Sequence, residues 1–433
     1  MTPVKAVAFE YECNEAVRPL LESFLMMVNH ALWVGMHEGI RGHFNLNRIV
    51  YHEFKRYGLH THYTLSACEV ASTILKNHKR DHRSPIAKKL FLKLDNQTYQ
   101  LRGETLHIPT KPRCFLTLKL KLGDYQRRFL EDSSLRLGSM TLTERKVIVA
   151  FERRQSPALE HVSVAAYDTN ELSLDGAFSN AEETKPVHVN LREIARIRAF
   201  HFERRRHLQS RQAQCQRKLR LKLCRDRDRE RRRVDVILHR VAKKEVNFAK
   251  EKNAKIVLED LKGVRRSVNR HVRKRNPYNG KPQLISVHSK ALKRRLNIWP
   301  FRRLHAFIEY KAAWEGIPLS YVSAKNTSRT CPRCGCLQVE HRGEQDPKAW
   351  QVFRCSKCGW TCNRHLNAAL NLLKTQDEGR WFSPDRFPNE VMTAKRAYGE
   401  EAKPESDEDL TEPDSNCRNL ISNQPTRARL VLT

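Results

Sequence analysis

Two pairs of cysteines have the spacing of a metal site: Cys331-Pro-Arg-Cys334 and Cys355-Ser-Lys-Cys358. Each CxxC sets two thiolates on one tight turn, and two turns facing each other supply four sulfurs. Four thiolates around one ion are the setting of structural zinc, with no position left for water or substrate. The chemistry expected here is a contribution to folding, not catalysis. Cys336 and Cys362 stand close by and compete as ligands, but the CxxC pairing favours the other four. Arg329, Arg333 and Lys357 lie in the same stretch and are candidate contacts to nucleic-acid phosphates.

A second set of residues has the types that hard divalent cations need. VSVAAYD reads as a buried strand closing on Asp168, and AKIVLEDL as another closing on Glu259-Asp260. Magnesium takes oxygen ligands, so carboxylates brought together by separate strands can hold it. An acid at a strand end is also what any strand reaching the surface shows. The pair, in this order and ahead of a zinc ribbon, is worth more than either residue alone. Alternation turns the side chain of Asp260 away from that of Glu259, which leaves Glu259 as the candidate.

These residues need elements to carry them. Residues 1–12 alternate enough to be a strand, and from Glu15 to Met36 apolar residues recur at helical spacing, with more helix through Arg80. Residues 90–157 are short alternating strands broken by turn residues, the pattern of a small antiparallel barrel with the helical block inserted after its first strand. From Val162 come three short strands. Then no Gly or Pro occurs between Val187 and Lys262, which predicts a long, arginine-dense helical hairpin. Its basic residues far outnumber its acids, so contact with phosphates accounts for them better than internal pairing. The strand ending in Glu259 follows, then a basic loop, a helix interrupted near Pro300, the strand IPLSYVSA, the cysteine pairs and a helix from about Asn363. The tail after about Gln376 is acidic and poor in apolar residues, a composition that reads as disorder.

Composition narrows the class. The 433 residues suffice for two or three domains, and 81 Lys+Arg against 48 Asp+Glu give a net charge of +33. Such an excess repels itself unless a polyanion neutralises it, and nucleic acid rewards each contact by counterion release. Twelve cysteines in a chain of this length do not form a secreted disulfide framework. The Met1–Glu12 start lacks a signal-peptide core, and no apolar run is long enough to span a bilayer. A reducing, cytoplasmic setting is expected, with Cys13, Cys68, Cys114, Cys215, Cys224 and Cys417 as ordinary free thiols.

The order VSAKNTSRTCPRCG, FRCSKCGW and NRHLNAALNLL resembles the C-terminal part of the TnpB family, transposon-encoded RNA-guided nucleases related to the type V CRISPR effectors. The likeness reaches back to about Val162, more loosely to the N-terminus, and fades after about Leu373. It implies an α/β RNase H-like (RuvC) nuclease domain with an inserted zinc ribbon, preceded by a small β-barrel carrying a helical insert. The implied layout is a wedge-type barrel from 1–12 and 90–157, a helical recognition lobe at 13–89 and the RuvC-like domain at 162–326. The ribbon at 327–362, the last RuvC-like helix at 363–375 and a tail at 376–433 complete it. By the same resemblance the partners are guide RNA and target DNA in a prokaryotic cell, and the cofactors are structural zinc and catalytic Mg2+ or Mn2+. Asp168 and Glu259 match the first two catalytic acids. The family pattern after the second CxxC is close to DRDxNAAxN, with an aspartate at the first position, the third or both. Here those positions are Asn363 and His365. Neither brings a negative charge; a histidine nitrogen suits manganese better than magnesium, and Asn363 has an equal claim as an N-cap. Glu171, Asp175, Asp377 and Asp385 stand as replacement carboxylates. Two functions follow: an RNA-guided DNA endonuclease with an altered third ligand, or a relative that uses guide RNA to occupy DNA without cutting it.

Overall fold

The structure, a computed structural model, describes residues 3–78, 85–111, 113–154, 161–180, 182–210, 216–278, 280–338 and 352–377. Most of the tail from 376, Cys215 and Cys417 lie outside the described residues. The chain divides into two units, Met1–Ser156 and Pro157–Thr433.

The first unit opens with β1 (Val4–Tyr11). Three helices follow before the next strand: α1 (Val17–His37), α2 (His43–Phe54) and α3 (His62–Asn77). α1 buries Val17, Leu20, Leu21, Phe24, Met27, Val28, Ala31 and Leu32, the stripe that its sequence period predicts. Strands β2 (Leu92–Leu94), β3 (Gln100–Arg102), β4 (Thr105–Lys111), β5 (Cys114–Lys121), β6 (Leu135–Leu142) and β7 (Lys146–Arg153) join β1 in one sheet, ordered β2-β6-β7-β1-β5-β4-β3. Helix α4 (Asp124–Glu131) interrupts this run, where the sequence reading expects strands alone. The two outer strands, β2 and β3, are neighbours in sequence. A flat sheet of this width would part them by roughly 29 Å, whereas the connection from Leu94 to Gln100 reaches at most about 20 Å. The sheet must therefore curl, helped by register shifts at Leu137/Met140 and Pro109/Lys111. No ladder between β2 and β3 closes it among the described residues.

The second unit is built on a five-stranded sheet. β8 (Ser163–Thr169), β9 (Ser173–Asn180) and β10 (Thr184–Asn190) form an antiparallel meander. The chain then leaves through α5 (Arg192–Ser210) and α6 (Gln216–Glu251) and returns as β11 (Ala254–Asp260), parallel to β8. Next come α7 (Val264–Val268), the antiparallel ribbon β12 (His271–Arg275) and β13 (Pro282–Ser286), α8 (Lys290–Ile298) and α9 (Phe301–Glu315). The ribbon stands where the sequence reading has a loop. β14 (Leu319–Ser323) lies parallel to β11 and gives the order β10-β9-β8-β11-β14. The chain then passes through the cysteine knuckles, with β15 (Val352–Arg354) paired to β16 (Thr361–Asn363), into α10 (Arg364–Asp377).

Helices cover both faces of this sheet. Tyr167, Leu174, Phe178, Ile256 and Leu258 point one way, against Ile194 of α5, Leu238 and Val246 of α6 and Leu304 and Ile308 of α9. Val164, Ala166, Ala177 and Val257 point the other way, against Leu366, Ala369, Leu370 and Leu373 of α10 and Phe353 and Trp360 of the knuckles. Strand periodicity then fixes the acids. Asp168 continues the series Val164–Ala166, and Glu259 continues from Val257, so both face α10.

The α5–α6 hairpin answers the question of its charge. Asp226 and Glu230 are buried against α5, where Asp226 pairs with His201, Arg204 and Arg205, and Glu230 with Arg198 and Arg205. Arg225, Arg227, Arg229, Arg231, Arg232 and Arg233 are exposed. Two of the three acids of RDRDRERRR thus staple the hairpin while Asp228 and most of its arginines face outward.

One close approach is built into the sheet. A Cβ at Gly176 would sit 2.7 Å from Cδ1 of Tyr167 and 2.9 Å from the Ala166 carbonyl oxygen. The bare glycine lets Tyr167 lie over β9 and donate to Glu245 Oε2 of α6 at 2.7 Å. Gly176→Ala should therefore cost about 1–3 kcal/mol, read as a lower urea midpoint; an unchanged midpoint would contradict this packing.

Candidate metal centres

Asp168 and Glu259 each occupy the next-to-last position of their strand, and the register Leu258↔Tyr167 brings them abreast on neighbouring parallel strands. They are 8% and 5% exposed. Glu259 Oε1 accepts the Thr169 backbone N–H at 2.8 Å. Burial pushes the Glu259 carboxyl well above its ordinary range. The charge of Asp168 beside it and a hydrogen bond between the two carboxyls push it further, against the Thr169 N–H. Two carboxyls so placed disfavour ionising together, and a nearby cation would relieve that cost.

Two donors also meet Asp168. Asn170 Nδ2 donates to its Oδ2 at 2.9 Å, and His365 Nδ1 lies 3.1 Å from the same oxygen. Burial pulls the His365 imidazole down, but the Asp168 hydrogen bond and the charges of Asp168 and Asp175 outweigh it, so its pKa stands above the ordinary value. Asp168 thus favours the protonated form of His365, at the place where the family pattern has a carboxylate. Asn363 Oδ1 accepts the backbone N–H groups of His365 at 2.8 Å and Leu366 at 3.4 Å. It is the N-cap of α10, and its oxygen is used by the helix; of its two readings, this is the one its contacts support.

The other acids separate cleanly. Asp260 caps Lys262 N at 3.0 Å and pairs with its Nζ at 3.4 Å. Glu171 pairs with Arg295 at 3.2 Å. Asp175 stands directly opposite Asp168 in the β8–β9 ladder and is 1% exposed. Asp385 lies outside the described residues, as does the side chain of Asp377.

The four predicted sulfurs gather. Cys331, Cys334, Cys355 and Cys358 have their Sγ atoms within 4.8 Å of one another, a group that could hold a metal ion. The Cys331–Cys358 and Cys334–Cys355 separations are 3.6 and 3.5 Å, near the ~3.8 Å edge of a tetrahedron with 2.3 Å metal–sulfur bonds. The two knuckles share one backbone: Gly335 N donates to Cys331 O and Gly359 N to Cys355 O, with both glycines at φ +71°. Burial alone would raise the Cys355 thiol, but the amides of Cys358 and Lys357 bring it down to about 7. Cys336 stays out of the group, and Cys362 is buried in the core under Trp360, its thiol pushed up to about 12 by burial. Arg333 and Lys357 occupy the same exposed place in the two knuckles, whereas Arg329 is partly buried and donates from Nε to Gln338 O at 3.2 Å.

A family model for the Cas12f1-like TNB domain matches residues 301–372, from α9 through the knuckles into α10. A TnpB-like protein of Methanocaldococcus jannaschii is 29% identical over 293 residues, 66% of this chain and 97% of its own length. The chain is thus a homologue of a TnpB-like protein and carries a Cas12f1-like TNB domain. An uncultured archaeon's CRISPR-associated endodeoxyribonuclease Cas12f1 is 37% identical over 75 residues, 17% of this chain and 14% of that protein. The solved Cas12f1–sgRNA–target DNA complex aligns over 83% of this chain and 82% of that one, at 15% identity and a TM-score of 0.52, a likeness of fold. Among the described residues, no helix is long and apolar enough to cross a membrane.

The TnpB pattern also explains two residues that sequence reading passed over. Asn367 and Asn371, the two asparagines of NAALN, are buried and donate to the carbonyls of Thr327 and Thr330 at 2.7–3.2 Å. They tie α10 to the chain entering the first knuckle. Their i,i+4 spacing was a usable signal, since polar residues repeated on a helix's apolar face need buried partners. His305 of α9 was invisible: nothing in the sequence says that its ring reaches Thr169 Oγ1 at 2.9 Å.

Two measurements check this geometry. Cys355→Ser should release the bound metal, scored by elemental analysis, while Cys336→Ser should keep it; equal retention would dissolve the assignment. The second is a pH series. Burial pushes His305 down to about 4 from an ordinary 6.5. The unfolded chain takes up this proton near pH 6.5 and the folded one near pH 4, so in that window stability falls as pH is lowered. The contribution, at most about 3 kcal/mol, is whole above pH 6.5. The stability difference between wild type and His305→Gln should shrink on going from pH 7 to 5. A difference independent of pH would contradict the burial of a neutral ring.

Proposed function

We propose that the chain is an RNA-guided DNA endonuclease of the TnpB type, hydrolysing phosphodiester bonds with divalent metal at Asp168 and Glu259. The observation that carries this reading is the buried carboxyl pair abreast at the ends of parallel strands, with the Glu259 carboxyl pushed well above its ordinary range. In this reading the second unit is an RNase H-like (RuvC) domain with an inserted zinc ribbon, and the curled sheet of the first unit is the wedge-type barrel with α1–α3 as its recognition lobe. Guide RNA and target DNA are the partners, and the outward arginines of α6 are suited to their phosphates. Base pairing with the guide selects the sequence, and the protein reads a short flanking motif and the shape of the hybrid.

The residues fit a hard cation. Mg2+ or Mn2+, when bound, supplies activation of water and charge stabilisation at the leaving oxygen. Glu259 is held in place by the Thr169 N–H, and Asp168 is oriented by Asn170 and His365. His305 holds the Thr169 hydroxyl, so the backbone donor to Glu259 is itself anchored to α9. The four cysteines fit zinc, whose work is to fix the knuckles against α10. Arg333 and Lys357 are proposed to meet the single strand there, in the cytoplasm of a prokaryotic cell.

One observation favours a second reading. His365 stands where the family pattern has a carboxylate, and its protonation, favoured by Asp168, lowers the site's negative charge, as a protein that occupies DNA without cutting it would tolerate.

Purified protein with its co-purified RNA, given matched DNA in Mg2+ and then Mn2+, separates the two. Cleavage is expected, with Asp168→Asn and Glu259→Gln each lowering the rate at least about 1000-fold while leaving DNA binding intact. Binding without cuts in either metal would leave only the second reading, and absence of RNA would overturn both.

A further inference from the structure

Resting on the nuclease reading, we propose that Asp175 of β9 is the third carboxylate of the metal site, in place of an acid on α10. α10 itself has none to offer there: Asn363 is spent as the helix cap and His365 is a donor to Asp168. Asp175 has the position. It is registered directly against Asp168 across the antiparallel pair, where side chains on the same face lie about 4.5–5.5 Å apart at Cβ. It shares with Ala177 the face packed on α10, the face that carries Asp168 and Glu259.

One side chain joins the two carboxylates. Asn170 Nδ2 donates to Asp168 Oδ2 at 2.9 Å and to Asp175 Oδ2 at 3.0 Å, so one amide nitrogen bridges them. From the far side His188 Nδ1 meets Asp175 Oδ1 at 2.6 Å, and Ser173 Oγ donates to Oδ2 at 2.6 Å. His188, with a side chain 38% exposed, stands in the relation that orients ligating carboxylates and histidines in metal sites. Asp175 is the most deeply buried of the three acids, at 1% exposure. A carboxylate so placed is costly unless its charge is used. With Asp175 the site again offers three carboxylates to two dications.

The plain alternative is a carboxylate buried for its hydrogen bonds alone. Mn2+ titration followed by electron paramagnetic resonance distinguishes them on intact protein, independently of cleavage. Asp175→Asn should weaken Mn2+ binding more than about tenfold, as should Asp168→Asn, while Asp260→Asn should bind like wild type. Adding His365→Asp to Asp175→Asn should restore binding, since it returns a carboxylate to the family's own position; a purely structural role would not be rescued from α10. If Asp175→Asn fails to fold, His365→Asp alone tests the same charge balance and should tighten Mn2+. Wild-type affinity in Asp175→Asn, or no rescue in a folded double variant, overturns the proposal. Wild-type affinity in Asp168→Asn would instead overturn the nuclease reading beneath it.

Discussion

The second unit depends on placing two like charges side by side out of water. Neighbouring parallel strands bring Asp168 and Glu259 abreast, and burial beside Asp168 pushes the Glu259 carboxyl well above its ordinary range. Three donors bond the pair: the Thr169 N–H, the Asn170 amide and the His365 ring. A fold selected for stability alone gains nothing from such a pair, because apolar residues would fill the same space at lower cost. The arrangement makes sense as a receptor for positive charge.

The lid of that receptor is held by a different chemistry. α10 packs Leu366, Ala369, Leu370 and Leu373 on the sheet and ends its N-terminal turn at the acids. The Asn367 and Asn371 amides bind it to the carbonyls that lead into the first knuckle. Lys374 Nζ adds a bond to Pro332 O at 3.1 Å. The cysteine cluster thus acts on the carboxyl pair at one remove: it fixes the loop that fixes the helix that carries His365. The cysteine cluster and the carboxyl pair are linked through the register of a single helix.

Much of this was legible in the chain. Strand periodicity identified Asp168 and Glu259, and CxxC spacing chose four cysteines out of six. The long run without Gly or Pro gave the α5–α6 hairpin. What escaped was non-local. α4 is a short polar helix whose pattern cannot outweigh the strands on either side. The β12–β13 ribbon is too short and too basic to announce itself. Asp175 could be named only as one of four spare acids, because its use depends on a cross-strand register that sequence does not display. His305 and His188 reach the site through tertiary contacts alone. Asn363 was ambiguous until the helix start showed its oxygen already engaged.

The account stands on a cation completing the carboxyl pair, and anomalous diffraction from crystals soaked in Mn2+ addresses that directly. The expected map has a peak in contact with both Asp168 and Glu259 oxygens, at about the 2.1 Å typical of small hard cations. A Mn2+ peak elsewhere, or an empty map beside the two carboxyls, would contradict it.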